Sequence, residues 1–238
     1  MKKFFFFILC AGISIAAGAQ HSVDDALAEK RATASFHGIE VSTGITLMLT
    51  SGSSEEIAVS AAKAEFRDHI VTKVENGILK IYYDNKLKAR NIHKENKELK
   101  AYVSYRELDK LDANTGAIVN IEGVLKAKVI SMKVNTGARI TGKVDVQELD
   151  VEQNTGSIVT LTGDVTKLKV EGDTGSMFKG ADLRTDNCTA KTSTGAGIYI
   201  QVDKELYARA YTGGFLKYKG SAGVKEIVTN TGGSVKKI

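Results

Sequence analysis

A Thr-Gly pair returns about every 19 residues through the second half of this sequence. The threonines are Thr115, Thr136, Thr155, Thr174, Thr194, Thr212 and Thr231, at spacings of 21, 19, 19, 20, 18 and 19. A fixed short period means one structural unit stacked on copies of itself. Four residues before each Thr stand Leu111, Met132, Val151, Val170, Ala190, Ala208 and Ile227, all apolar. Four after stand Val119, Ile140, Val159, Phe178, Ile198, Leu216 and Val235, again all apolar. Two after, every residue is small, from Ala117 to Gly233.

Around the apolar columns the pattern alternates with period two, as in Leu149-Asp150-Val151-Glu152, which describes half-buried strands. Strand, glycine corner and strand, repeated every 19 residues, make one coil of a parallel β-helix. Glycine supplies the positive φ of the corner. Asn114, Asn135, Asn154 and Asn230, with Asp173 and Ser193, are placed to form a polar ladder beside it. The sequence contains no Pro, as expected where every strand donates to its neighbour. A leucine-rich repeat would need helical segments, and none shows a 3.6-residue period. A propeller would need a period near 40 residues with unlike odd and even copies, and the copies are alike.

The first third is less regular. Strands are expected over 41–50, 56–60, 71–74, 79–83 and 99–105, with Asn76-Gly77 as a hairpin turn. Ser42-Thr43-Gly44-Ile45 reads as a degenerate copy of the repeat. Residues 22–33 are expected to form a short helix. Residues 85–98 are expected to form a polar loop with Lys86, Lys88, Arg90, Lys94 and Lys97. The organisation expected is a leader over 1–19, an N-terminal segment over 20–35, and a β-helix domain over 36–238. Within that domain, 36–105 are irregular first coils and cap, and 106–238 are regular coils.

The leader has the form of a cleaved export signal. Lys2 and Lys3 precede an apolar run over 4–17, and Ala17-Gly18-Ala19 is a small-residue cleavage site, so the mature chain is expected to begin at Gln20. The run is short for a membrane span, and Leu9 before Cys10 does not suit lipidation. No later segment approaches a span. Cleavage removes two lysines and takes the formal charge from +5 to +3. That mild balance does not suit nucleic acid. Cys188 is then left without an intramolecular partner.

Several of these features together resemble the head GIN domain family of bacterial exported proteins. They are the leader, Phe36-His37-Gly38-Ile39-Glu40-Val41, Val74-Glu75-Asn76-Gly77-Ile78-Leu79-Lys80-Ile81, the serial Asn-Thr-Gly motifs and Tyr211-Thr212-Gly213-Gly214. The resemblance covers residues 36–220. It implies a right-handed, single-stranded parallel β-helix in the periplasm or at the outer surface of a Gram-negative cell, with an adhesin-like role. It brings no catalytic residues.

The search for chemistry on the residues themselves is mostly negative. His21, His37, His69 and His93 are scattered, and no zinc, nucleophile-elbow or phosphate-loop motif occurs. No metal or cofactor is expected. Asp150, Glu152, Glu171 and Asp112 point outward and are the best acid–base candidates. Cationic neighbours such as Lys133, Lys169 and Lys191 favour a charge ladder instead. The best binding candidates are Tyr199, Tyr207, Arg209, Tyr211 and Tyr218, near Phe215 and Lys217, because exposed tyrosines stack on sugars and anchor protein contacts. The function expected is a non-enzymatic envelope module binding a glycan or a surface protein. A polysaccharide-active enzyme and a purely structural component are the alternatives.

Overall fold

The computed structural model describes residues 25–85 and 96–238. The expected leader and cleavage site, and Lys86, Lys88, Arg90 and Lys94 of the polar loop, lie outside these residues.

Alternating apolar and polar residues give five long strands, each forming most of one coil. They are β9 (Ile118–Val134), β10 (Arg139–Gln153), β11 (Ile158–Gly172), β12 (Met177–Thr192) and β13 (Gly197–Ala210). All pair in parallel, in chain order, so like positions stack: Met132, Val151, Val170, Ala190 and Ala208 form one column. This is the expected parallel β-solenoid, of about seven turns of roughly 19 residues. The two apolar columns are fully buried from Leu111 to Ala208 and from Val119 to Leu216. Each coil bends twice besides its Thr-Gly corner. One bend is near Gly123 and Gly163, where the register shifts. The other is at Lys128, Gln147, Thr166 and Asp186, which drop out of the ladder.

The Thr-Gly corners are tighter than glycine alone would make them. Thr115, Thr136, Thr155, Thr174, Thr194, Thr212 and Thr231 all have φ between +46 and +51°, and the glycines that follow lie between +67 and +77°. Two successive positive φ angles, closed by bonds such as Ala117 N to Asn114 O at 3.1 Å, define a type I′ turn. A β-branched residue in that region is strained. From Gly116 to Gly213 the glycine N–H of each corner donates to the Thr carbonyl of the next coil, as from Gly137 to Thr155 at 2.9 Å. Asn154, Asp173 and Asn230 accept the following Thr N–H through Oδ1, each at 2.7 Å. Thr43 and Gly44 have the same pair of positive φ angles, and Gly44 N–H donates to the Thr115 carbonyl at 3.0 Å, so the degenerate copy stacks as a further corner. The polar ladder forms in separate rungs, Asn135 to Asn114 and Ser193 to Asp173.

The first coils are threaded out of chain order. β2 (Gly38–Val41) and β3 (Thr46–Ser51) belong to one coil, and β8 (Lys110–Ala113) returns to stack on β2. Between them, β6 (Ile78–Tyr83) and β7 (Lys100–Tyr105) form the outermost coil beneath β2 and β3. That end is closed by antiparallel strands. β4 (Glu56–Ser60) pairs with β7, β1 (Glu29–Arg31) with β4, and β5 (Ile70–Glu75) with β6. The helix expected over 22–33 is corrected here: its described part holds β1, because pairing with β4 outweighs weak local helix propensity. Among the described residues a short α-helix instead forms at α1 (Ala64–Arg67), which buries Phe66.

Among the described residues no antiparallel strand covers the opposite end. Beyond β14 (Phe215–Lys219), the last strands are β15 (Gly223–Thr229) and β16 (Ser234–Lys237). There the apolar column ends in Ile227, which is 47% exposed.

Candidate binding groove

Where each coil bends at Lys128, Gln147, Thr166 and Asp186, successive outward side chains flank an apolar row. A groove of about 400 Å³ runs there along the solenoid. Its floor is Leu149, Leu168 and Cys188, all buried. Its walls are the positions seven and five before each Thr. One wall holds Val129, Glu148, Lys167 and Asn187, and the other Asp150, Lys169, Thr189 and Tyr207. Val129 is 51% exposed at one end and Tyr207 39% exposed at the other.

The groove's charges are paired. Lys167 donates to Glu148 at 2.8 Å, and that bond holds the Glu148 carboxyl below its ordinary range. Lys169 reaches Asp150 at 3.4 Å and Glu171 at 3.1 Å, and the Glu171 bond pushes its ammonium up. The remaining acid–base candidates are engaged likewise. Glu152 pairs with Lys133 at 2.9 Å, and Glu171 lies 3.8 Å from Lys191. Asp112 stands in the outward column beside Lys133 but is covered, pairs with Lys110 at 3.1 Å, and has its carboxyl pushed up by burial. Acids held this way are charged partners and not a free proton donor facing a free base. Cys188 is fully enclosed, and burial pushes its thiol up, away from a reactive thiolate.

The structure separates the five aromatic and cationic candidates. Tyr207, Arg209 and Tyr211 lie on one outward strip, alternating with the buried Ala208 and Ala210. Arg209 forms a two-pronged ion pair with Glu226, at 3.0 and 3.3 Å. Tyr211 opens the Thr212 corner and accepts from Gly214 N at 2.8 Å. Tyr199 stands on a different face, edge-on to Phe215 at 5.8 Å and beneath Lys217 at 5.4 Å. Tyr218 points inward and is 7% exposed. Val129, Asn187 and Thr189 carry no motif, so only columns extended seven residues back from Thr would have found them.

The family model described as "Putative auto-transporter adhesin, head GIN domain" matches residues 35–222. The chain belongs to the head GIN domain family. Solved structures share its fold at low identity. One described as a putative adhesin from Bacteroides fragilis has a TM-score of 0.73 at 18% identity, covering 89% of this chain and 96% of its own. One described as a putative lipid binding protein from Parabacteroides distasonis has a TM-score of 0.67 at 14% identity, with the same coverage. No curated protein matches the sequence. The description of this head GIN domain family is that of an adhesin, and the two structures, one named for adhesion and one for lipid binding, share the fold. Among its described residues no helix is long and apolar enough to cross a membrane.

Proposed function

We propose that this chain is an exported, non-enzymatic binding module of the periplasm or outer surface of a Gram-negative cell, recognising a glycan or a surface protein. The family supports an adhesin-like role. The observation that carries the reading is the groove with its exposed Tyr207, continued by the strip through Tyr211. An aromatic platform beside fixed donors and acceptors is equipped to bind and hold. Its carboxylates are committed to lysines and not poised for proton transfer. The leader at 1–19 supports export.

The test is a screen of residues 20–238 against immobilised glycans and envelope proteins, with product analysis of each glycan retained. Retention without cleavage, lost in the Tyr207→Ala/Tyr211→Ala double variant, is the expected result. Cleavage that disappears in Glu152→Gln would move the protein to the enzyme class.

A further inference from the structure

We propose that the groove binds an unbranched, neutral, β-(1→4)-linked hexose chain laid along the solenoid axis. This rests on the binding-module reading above and names its ligand class.

The shape argument comes from the stacking. The columns five, six and seven residues before Thr are in register from β9 to β13. They form straight rows that advance by about 4.8 Å per coil. From Val129 to Tyr207 is four such steps, or about 19 Å. An extended β-(1→4) hexose chain is also straight, and its repeat per sugar is only slightly longer than one coil step. A coiled α-(1→4) chain would leave the rows after a sugar or two.

The charge argument comes from the walls. Glu148 cancels Lys167, and Asp150 faces Lys169. A polyanion gains nothing from such walls, whereas hydroxyls find donors and acceptors on both sides, with Asn187 and Thr189 adding neutral ones. An acyl chain would strip water from two ion pairs without replacing any hydrogen bond. A peptide strand has no edge to join, because β10, β11 and β12 are paired on both sides throughout the groove. Tyr207 offers a ring face to the C–H face of one terminal sugar, and Val129 offers an apolar contact at the other end.

The experiment is calorimetric titration of residues 20–238 with cellobiose, cellotetraose, cellohexaose and mannohexaose. Maltohexaose, polygalacturonate and palmitate are the contrasting probes. Affinity should rise with length up to about four or five sugars and then level off, since further sugars pass beyond the rows. Binding should be unchanged between about 0.05 M and about 0.5 M NaCl. Tyr207→Ala and Val129→Asp should each weaken cellohexaose or mannohexaose binding about tenfold or more. Tyr199→Ala, on another face, should leave it unchanged. The inference is overturned if neither β-(1→4) hexasaccharide binds. It is also overturned if maltohexaose binds equally, if polygalacturonate binds more tightly and in a salt-sensitive way, or if palmitate occupies the groove. If these oligosaccharides fail while the immobilised-ligand screen still shows retention lost in the double tyrosine variant, the ligand class is wrong and the binding-module reading stands. Failure of both assays would remove both.

Discussion

Two glycines that look alike in the sequence should respond very differently to one added methyl. Gly156 belongs to a Thr-Gly corner and has φ of +67°, yet a Cβ built on it meets nothing within 4 Å. Gly163 lies at an inner bend, outside any motif, with φ of +109°. A Cβ there would come within 2.0 Å of the Val144 carbonyl oxygen, with the Val144 carbon and nitrogen at 3.1 and 3.2 Å. Gly156→Ala therefore costs only the left-handed conformation, about 1 kcal/mol. Gly163→Ala must push the β10 backbone away by about 1 Å in a close-packed ladder and should cost more than about 3 kcal/mol. For a domain of this size the melting shifts are about 2–4 °C for Gly156→Ala and about 8 °C or more for Gly163→Ala. Circular dichroism melts of the two variants beside the wild type make the comparison. Equal shifts, or a larger one for Gly156→Ala, would refute the assignment of steric crowding to the inner bend.

The in-and-out alternation of β10 predicts a second contrast. Val151→Asp places an unpaired charge in the buried column and should cost several kcal/mol, whereas Glu152→Ala loses one exposed pair with Lys133 and should cost well under about 1 kcal/mol; equal thermal shifts would refute the alternation. Asp112 supplies a pH-dependent contrast. Burial raises its folded carboxyl above the ordinary aspartate range, and its Oδ1 is enclosed without a hydrogen-bond partner. The folded chain then holds that proton more tightly than the unfolded chain, so this residue's contribution grows as pH falls through the raised value and is complete below the ordinary one. Asp112→Asn should melt at or above the wild type near pH 7, with the gap narrowing toward about pH 4; a gap that widens on acidification would refute this.

How far the sequence discloses the protein depends on which interactions repeat. The stacked coils are legible because Val151, Val170 and their equivalents must meet in one column, and one substitution there would expose the period. The corner is half legible. Glycine announces a positive φ, but nothing in a Thr side chain announces that it shares one, because the compensation lies in backbone bonds to the next coil. The threading of β6 and β7 beneath β2 and β3 is not legible, since strand order depends on pairing between segments far apart in sequence. Among the site candidates, Tyr207 and Tyr218 look equivalent as tyrosines. Only their distance from the Thr corners separates them: Tyr207 falls on an outward column, and Tyr218 falls on the inward side of β14.

Recognition on the side of the solenoid, at Tyr207 and Tyr211, is separable from recognition at its C-terminal end, where Ile227 is exposed. The most direct measurement compares three folded proteins on the glycan or protein selected by the screen: the wild type, Tyr207→Ala/Tyr211→Ala, and Ile227→Lys. The tyrosine pair should weaken binding by about tenfold or more with an unchanged circular dichroism spectrum, while Ile227→Lys should bind as the wild type does. Full binding by the tyrosine variant, with loss in Ile227→Lys, would instead place recognition at the end of the coil stack.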